Sequence, residues 1–200
     1  MLPRLIVITD WRLPRERLLS ALERALEVGP EVAVQHRHPD APVRLFLEEA
    51  RVLAELCRAR GNPLFVNGRL DVALLVGAHL HLPAGGLTPA DVRPHLPEGR
   101  LVSVAVHDEA EARAARGADL ALVSPVFSPG SKPDDTRPTL GPEGFERLAA
   151  LLPCPALALG GITPESAAQL TKGYGFAVIS GVLEAVDPGA VAKALVDFTC

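Results

Sequence analysis

The polar residues that could do chemistry in this chain stand where short apolar runs of the sequence end. Histidine can transfer a proton near neutral pH, and arginine can bind anions through its fixed fork of donors. One polar residue at the end of an apolar run does not indicate a site. Polar residues at the ends of many such runs predict a shared site, provided that the fold brings those ends together. The residues concerned are Asp10, Gln35, Arg37, Asn67, His81, His107, Ser124 and Ser180.

His107 is the main candidate for proton transfer, because it directly precedes a segment of helical composition, DEAEARAAR. Asp108 and Glu111 have the spacing of a capping box at the start of that helix. A helix N-terminus disfavours a nearby imidazolium, so we predict a neutral imidazole that transfers protons near pH 7. A structural histidine held by hydrogen bonds fits the same spacing, and the sequence leaves both interpretations open.

Two glycine-containing turns follow the last two apolar runs and predict a phosphate site. ALGGITPES contains Gly160 and Gly161, and VISGVLEA contains Ser180 and Gly181. Glycine lets backbone N–H groups approach a phosphate closely, and the N-terminus of a following helix adds favourable partial charge. Tight turns without a ligand are the alternative interpretation.

Lys132 lies in the longest irregular segment, 124–140, which is rich in proline. A loop of this length in a compact domain is either disordered or an active-site lid. We interpret Lys132 as a cation that closes over a phosphate or carboxylate of the substrate. A solvated loop lysine is the alternative.

Two His-x-His pairs could hold a metal ion, but nothing in the sequence completes the ligand set. His36 and His38 share one face of a strand by alternation, as do His79 and His81. No neighbouring cysteine or carboxylate completes a set of metal ligands with either pair. We therefore predict neither a metal site nor a cofactor.

These residues would be positioned by strands and helices that alternate from end to end. Strands are predicted at 4–9, 32–36, 63–66, 79–82, 101–106, 120–124, 155–159 and 176–179. Helices are predicted at 14–28, 42–60, 69–77, 88–96, 108–116, 142–152, 164–171 and 187–198. Eight such pairs in 200 residues predict an α/β fold, a single (β/α)8 TIM barrel with residues 1–200 as one domain. The rival open sheet would have a glycine-rich first turn, which ITDWRLP lacks.

Composition restricts the partners of this chain. The net charge of −4 provides no basic stripe for nucleic acid. The apolar runs are too short to span a membrane, and Met1 is followed by Asp10 without a leader of signal-peptide length. We expect a cytoplasmic protein without nucleic-acid or membrane partners. The odd count of 3 cysteines, without CxxC spacing, argues against a disulfide framework.

The chain resembles the thiamin phosphate synthase/TenI superfamily along nearly its whole length. The matching segments are LIVITD, VAVQHRH, LFVNGRLDVAL, HLHLPAG, VAVHDEAEA, PVFSPGSK, ALALGGITPE and FAVISGV. The resemblance implies one of two activities. Thiamin phosphate synthases couple a pyrimidine pyrophosphate to thiazole phosphate using Mg²⁺, whereas TenI-type tautomerases isomerise a thiazole carboxylate phosphate without metal.

Several positions depart from the synthase pattern. Gly68 stands where the synthase pattern has a magnesium aspartate, and 82–85 (LPAG) replaces its Gly-Gln-Asp-Asp. Pro39 stands at the lysine of its Gln-x-Arg-x-Lys. Its two pyrophosphate-binding threonines correspond to Pro129 and Ser131, while Lys132 is kept. A pyrophosphate leaving group needs metal or several cations, whereas a tautomerisation needs a proton carrier and a phosphate site.

The resemblance therefore implies a thiazole tautomerase that acts on a phosphorylated thiazole. In this hypothesis His107 moves the proton, and Arg37 and Lys132 hold the carboxylate. Gln35 and Asn67 orient the ring, and His81 also binds the substrate. The phosphate-binding residues would be Gly160, Gly161, Ser180 and Gly181. The alternatives are a thiamin phosphate synthase with an altered metal site and a non-catalytic regulatory protein that binds thiazole or thiamin phosphates. Family resemblance also suggests a homodimer.

Overall fold

Eight parallel strands form a closed barrel in which each strand pairs with the next and β8 pairs with β1. A computed structural model describes residues 1–128 and 138–198, so Lys132 lies outside the described residues. The predicted (β/α)8 TIM barrel is confirmed, while the single domain over 1–200 stays a prediction. The strands are β1 (Leu5–Ile8), β2 (Val32–His36), β3 (Leu64–Asn67), β4 (His79–Leu82), β5 (Val102–Val106), β6 (Leu120–Val123), β7 (Ala156–Leu159) and β8 (Gly175–Val178).

The strands form where the sequence is short, apolar and often β-branched. The four residues of β1 and the four residues of β6 are all buried, as expected for strands covered on both faces. Each predicted strand overlaps an observed one and differs by one residue or less at either end. The apolar runs end at Gly, Pro or polar residues, and these residues determine where the strands end.

Helices cover the outside of the barrel, and most lie where the sequence predicts them. They are α1 (Arg15–Leu26), α2 (Val43–Arg60), α3 (Leu70–Val76), α4 (Pro89–Val92), α5 (Glu109–Ala114), α6 (Gly141–Leu151), α7 (Pro164–Ala167), α8 (Ser180–Leu183) and α9 (Pro188–Asp197). The Thr88–Asp91 capping box begins α4, and Gly61 and Gly77 end α2 and α3 in the left-handed conformation that glycine favours.

Two helical predictions need correction, and one helix was not predicted. The segment 88–96 forms only α4 and a 3₁₀ turn at Arg93–His95, because Pro94 cannot continue an α-helix. Helix α7 ends at Ala167, four residues before the predicted end. The one-turn helix α8 was not predicted, since VISGVLEA resembles a strand followed by a turn.

The interior of the barrel has an apolar part and a polar part. Its apolar cluster is formed by Ile6, Ile8, Ala33, Phe65, Leu120, Leu122, Leu157 and Ala177. None of these residues comes from β4 or β5, which contribute His81 and Ser103 as buried polar side chains. The strand pairing sets these two residues side by side. The buried polar side chains inside the barrel therefore come from β4 and β5, together with Gln35 of β2.

Two of the negative expectations concern membranes and cysteines. Over residues 1–128 and 138–198, the structure contains no helix with the length and apolar character that a membrane span requires. Cys57 and Cys154 are free thiols, and burial raises the pKa of Cys57 to about 12. Cys57 therefore behaves as a small buried apolar residue.

Candidate active site

Most of the predicted site residues meet at the C-terminal mouth of the barrel. Gln35 lies near the end of β2, Asn67 ends β3, and His81 lies on β4 opposite Asn67 in the strand register. Arg37 and His107 follow β2 and β5 and lie close enough to His81 to act on its charge. In barrel enzymes this face is where substrates bind, because the strand ends converge there.

His81 is a neutral imidazole at the base of this mouth. Its Nδ1 lies 2.9 Å from the hydroxyl oxygen of Ser103 on the neighbouring strand. Burial, together with repulsion from Arg37 and His107, lowers the pKa of His81 to about 3. His81 can therefore contribute a hydrogen bond or an apolar surface to a ligand, but no positive charge at neutral pH.

Gln35 has an unmet hydrogen-bonding requirement. The side chain is 2 % exposed, and its Oε1 has no hydrogen-bond partner among the described residues. Buried polar atoms normally find a partner in the protein, in water or in a ligand. This buried acceptor supports the prediction that Gln35 contacts a substrate.

Arg37 is held by a clamp that the sequence did not reveal. The Thr9 hydroxyl donates to the Arg37 carbonyl oxygen at 3.1 Å and accepts from the Arg37 N–H at 2.9 Å. Thr9 is buried directly after β1, so its two hydrogen bonds fasten the ends of β1 and β2 together. The backbone of Arg37 is thus fixed before any ligand arrives.

His107 has a carboxylate partner that changes the argument made from the sequence. The Glu111 carboxylate accepts from the His107 backbone N–H at 2.7 Å and lies 2.9 Å from Nδ1 of its ring. The sequence predicts Glu111 only as part of a capping box with Asp108, whereas in the first turn of α5, a helix of 6 residues, its carboxylate contacts His107. A carboxylate at this distance fixes the orientation of the His107 ring. Asp108–Glu111 spacing could have pointed to this contact.

The two glycine turns lie side by side, although helix dipoles contribute little to them. A Cβ atom at Gly161 would lie 2.6 Å from the Ser128 carbonyl oxygen, and one at Gly181 would overlap the Ile162 carbonyl oxygen. The loops after β6, β7 and β8 are therefore packed tightly. The Gly161 N–H donates no hydrogen bond within the described ranges. However, α7 and α8 are 4 residues each, too short for the helix contribution expected from the sequence.

A cavity of about 260 Å³ opens between the ends of β1 and β2, and we call it the β1–β2 pocket. It is lined by Thr9, Asp10, Trp11, Arg12, Arg37, His38, Pro39, Asp40 and Ile179. Asp10 accepts three hydrogen bonds from the Arg12 guanidinium, and this contact lowers the pKa of Asp10. The pocket thus contains both positive and negative side chains.

The residues present do not fit a magnesium ion. Within residues 1–128 and 138–198, no group of three or more His, Cys, Asp or Glu is arranged to hold a metal. Gly68 has a φ of +68°, a conformation that suits glycine better than aspartate, and no carboxylate follows β4 in 83–86. Contrary to the sequence argument, Glu49 of α2 does lie beside His36 and His38. Both ring nitrogens of His36 are already engaged, by Trp11 and by the Phe46 carbonyl oxygen.

The fold and its mouth define the class of this molecule: a (β/α)8 barrel whose polar side chains gather at the substrate face. Within that class, the chain belongs to the thiamine monophosphate synthase family, because the family model described by that name matches residues 5–182. Members of this family are enzymes that act on phosphorylated small molecules.

Similar proteins support the same family assignment. The thiamine-phosphate synthase of Chloroflexus aurantiacus is 38% identical over 197 residues, covering 96% of this chain and 90% of that protein. The one from Roseiflexus castenholzii is 39% identical, covering 96% of this chain and 86% of that protein. The structure of thiamine phosphate pyrophosphorylase from Pyrococcus furiosus has a TM-score of 0.80 at 31% identity, covering 96% and 93% of the two chains.

These relatives overturn the expectation of a thiazole tautomerase. The similar proteins are named as thiamine-phosphate synthases, so the isomerase assignment is wrong and the synthase alternative is the better supported one. The tautomerase expectation rested mainly on Gly68 and on 82–85, where the carboxylates of the synthase pattern are missing. Missing ligands bear on how the charge of a leaving group is neutralised, not on which bond the enzyme makes.

Proposed function

We propose that this chain is a transferase that couples a pyrimidine pyrophosphate to a thiazole phosphate. In this reaction the bond between the pyrimidine-bearing carbon and the pyrophosphate breaks, a bond to the thiazole forms, and pyrophosphate is released. The observation that carries the proposal is identity of 38% to thiamine-phosphate synthase over 96% of the chain. Matching over nearly the whole barrel includes the loops in which a barrel enzyme carries its chemistry.

The residues of the mouth have distinct roles in this proposal. Arg37 at the mouth and Lys132, which lies outside the described residues, bind the pyrophosphate through their positive charges, and buried Gln35 orients a ring. Asn67 and His81, adjacent in the strand register, bind the ring as neutral groups. The thiazole phosphate is bound by Gly160, Gly161, Ser180 and Gly181.

In this proposal His107 stabilises the pyrophosphate as it leaves. Negative charge grows on the pyrophosphate oxygen as its bond to carbon breaks. The His107 imidazole, oriented by Glu111 at Nδ1, donates a hydrogen bond or proton to that oxygen. Because the described residues do not fit Mg²⁺, no step is assigned to a metal ion, and side-chain cations neutralise the charge.

The test is a direct assay for coupling. Purified protein is incubated with both substrates, with and without Mg²⁺, and thiamin phosphate and pyrophosphate are quantified together. We expect the two products in equal amounts. If the protein bound thiazole phosphate or thiamin phosphate but released neither product under any condition, it would be a binding protein and the proposal would be wrong.

Two further expectations accompany the transferase proposal. A homodimer, suggested by family resemblance, can be tested by sedimentation of the purified chain. A cytoplasmic location can be tested by fractionation of cells that express the full chain.

A further inference from the structure

A second cavity lies on the face of the barrel opposite the mouth, where the strands begin. It has a volume of about 320 Å³ and lies between the C-terminal ends of α2 and α3 and the first residues of β3 and β4. We call it the β3–β4 pocket. Cavities of about 300 Å³ and more are large enough to hold a small ligand.

The buried side of the β3–β4 pocket is apolar. Ala54, Leu64 and Ala78 line it and are at most 8% exposed. Cys57 lines it as well, and burial raises the pKa of its thiol to about 12, so the thiol stays protonated and unreactive. A ligand in this pocket therefore meets an apolar surface on its buried side.

Two arginines make the β3–β4 pocket positively charged. Among the described residues that line it, Arg58 and Arg100 carry charge and none is acidic. Their guanidinium groups have no hydrogen-bond or ion-pair partner in the described part of the chain. The Arg100 guanidinium reaches the end of α3, since its Nη2 would lie 3.3 Å from a Cβ atom at Gly77. The pocket therefore attracts anions, and both guanidinium groups have donors to offer.

His79 adds a neutral donor to these two cations. The Leu101 N–H donates to its Nδ1 at 3.0 Å, so the proton of the neutral ring is on Nε2. Burial, together with repulsion from Arg100, lowers the pKa of His79 to about 4. Asp119, the carboxylate that acts on His79, is already paired with Arg93. Within the described residues, Nε2–H has no partner and can donate to a ligand.

The helix ends at this pocket explain the two arginines only in part. Arginine is favoured near a helix C-terminus, where the last carbonyl groups carry partial negative charge. Here backbone N–H groups already satisfy carbonyls at both ends. Gly61 and Asn62 donate to carbonyls of α2, and Gly77 and Ala78 donate to carbonyls of α3. The guanidinium groups are therefore not needed to satisfy these carbonyls.

We propose that the β3–β4 pocket binds a small organic anion, whose carboxylate or phosphate group is held by Arg58 and Arg100 and whose apolar body packs on the buried side. His79 supplies a further hydrogen bond from Nε2–H. Barrel enzymes bind their substrates at the C-terminal ends of the strands, and this pocket lies at the opposite ends. The site is therefore separate from the mouth and does not depend on the proposed transferase function.

The test uses benzoate, which joins a carboxylate to a small apolar ring, and follows its binding through the NMR shifts of backbone amides. We expect saturating shifts at Gly77, Ala78 and Arg100, with a Kd of about 1 mM or below, and none at Gly161 in the mouth. Benzyl alcohol has the same ring without the charge and should bind at least about 10-fold more weakly. Tighter binding of phenyl phosphate at the same amides would identify a phosphate monoester as the ligand class.

Four variants locate the anion. Arg58→Gln and Arg100→Gln should each bind benzoate about 10- to 100-fold more weakly, because each loses charge-assisted hydrogen bonds. Arg100→Lys keeps the charge and should lose less affinity than Arg100→Gln. Arg51→Gln is the matched control, since this arginine is exposed on α2 and does not line the pocket. Arg37→Gln changes only the mouth and should bind benzoate as the wild type does.

The proposal is overturned if neither benzoate nor phenyl phosphate causes saturating shifts at this face, or if Arg58→Gln and Arg100→Gln both bind benzoate as the wild type does. A lower melting temperature of Arg100→Gln with an unchanged benzoate Kd would also overturn it, because the arginine would then be structural. Failure of the coupling assay would reject the transferase function and leave this site in place. Failure of benzoate binding would leave the transferase proposal untouched.

Discussion

The two sides of the barrel mouth differ in the chemical groups that they present to a ligand. At the ends of β1 and β2, charged side chains line a pocket, and Thr9 clamps the backbone beneath Arg37. At the ends of β7 and β8, the glycines of two turns pack against carbonyl groups of neighbouring loops. Recognition by charge depends on salt and pH, whereas recognition by backbone depends on the absence of a Cβ atom. The two sides should therefore fail in different ways when they are mutated.

The difference also indicates how two anionic substrates could be kept apart. A pyrophosphate carries more charge than a phosphate monoester and is attracted more strongly by an arginine, because Coulomb attraction grows with the charge of the ligand. A backbone N–H such as that of Gly161 acts over a shorter distance than a charge does. Its position is fixed by the chain, so it recognises the shape of an anion. In the proposed reaction the pyrophosphate belongs to the charged side and the thiazole phosphate to the glycine side.

The largest effect is expected at His107, which directly follows β5. His107→Gln should lower kcat about 10²–10⁴-fold, because the amide cannot donate a proton to the departing pyrophosphate. Binding of inorganic phosphate and pyrophosphate should change little. The measurements are kcat, anion Kd and melting temperature, with His95→Gln as the control. A Gln variant within about threefold of wild-type kcat would remove His107 from the chemistry.

Gly161→Asp tests the glycine side. Its Cβ would lie 2.6 Å from the Ser128 carbonyl oxygen, and its carboxylate would repel the bound phosphate. We expect KM for thiazole phosphate to rise at least about 100-fold, equivalent to about 2.7 kcal/mol. KM for the pyrimidine pyrophosphate should rise much less. Gly161→Ala separates bulk from charge and should be less severe.

Gly99→Asp is the matched control for that prediction. Gly99 has a φ of +80°, comparable in sign to the +61° of Gly161, but no atom lies within 4 Å of its added Cβ. The Gly99→Asp substitution should strain the backbone but leave KM unchanged for both substrates. Equal loss of affinity for both substrates in Gly161→Asp would mean that the phosphate lies elsewhere.

Arg37→Gln tests the charged side. Loss of a guanidinium that binds an anion should lower kcat/KM about 10- to 100-fold, mainly through the pyrimidine pyrophosphate. Salt should weaken pyrophosphate binding in the wild type more than in this variant, because screening acts on a charge that the variant lacks. Arg44→Gln, whose arginine is exposed on α2 and paired with Glu48, is the control. A salt dependence unchanged from wild type would contradict the division between the two sides.

The same division explains what could be predicted from the sequence. Glycine pairs, strand ends and the barrel were visible, because each leaves a local signature such as ALGGITPES. The partners on the charged side could not be predicted from local sequence. Thr9 lies 28 residues from Arg37, whose backbone it holds, and Glu49 lies 11 residues from His38, whose side chain it contacts. Only closure of the fold brings these groups together. Lys132 could be singled out from its loop, but it lies outside the described residues.

The last prediction concerns acid stability and the charged side again. His36, buried beneath the β1–β2 pocket, has its pKa lowered to about 4 by burial, whereas an unfolded histidine titrates near 6.5. Between these values the unfolded chain binds a proton that the folded chain does not bind. Stability must therefore fall as the pH falls below about 6.5, by about 1.4 kcal/mol per pH unit for this one group. Burial also lowers the pKa of His79 to about 4 and of His81 to about 3, so their effects add.

Urea unfolding at about pH 7 and about pH 5.5 measures this slope in wild type and in His36→Gln. The variant should lose stability at both values, because the contacts of His36 with Trp11 and the Phe46 carbonyl are changed. Its slope should nevertheless be shallower, because one of the three imidazoles with a lowered pKa no longer takes up a proton on unfolding. The control His95→Gln replaces an exposed histidine and should keep the wild-type slope. If wild type and His36→Gln lose stability in parallel, His36 is not held neutral in the folded state.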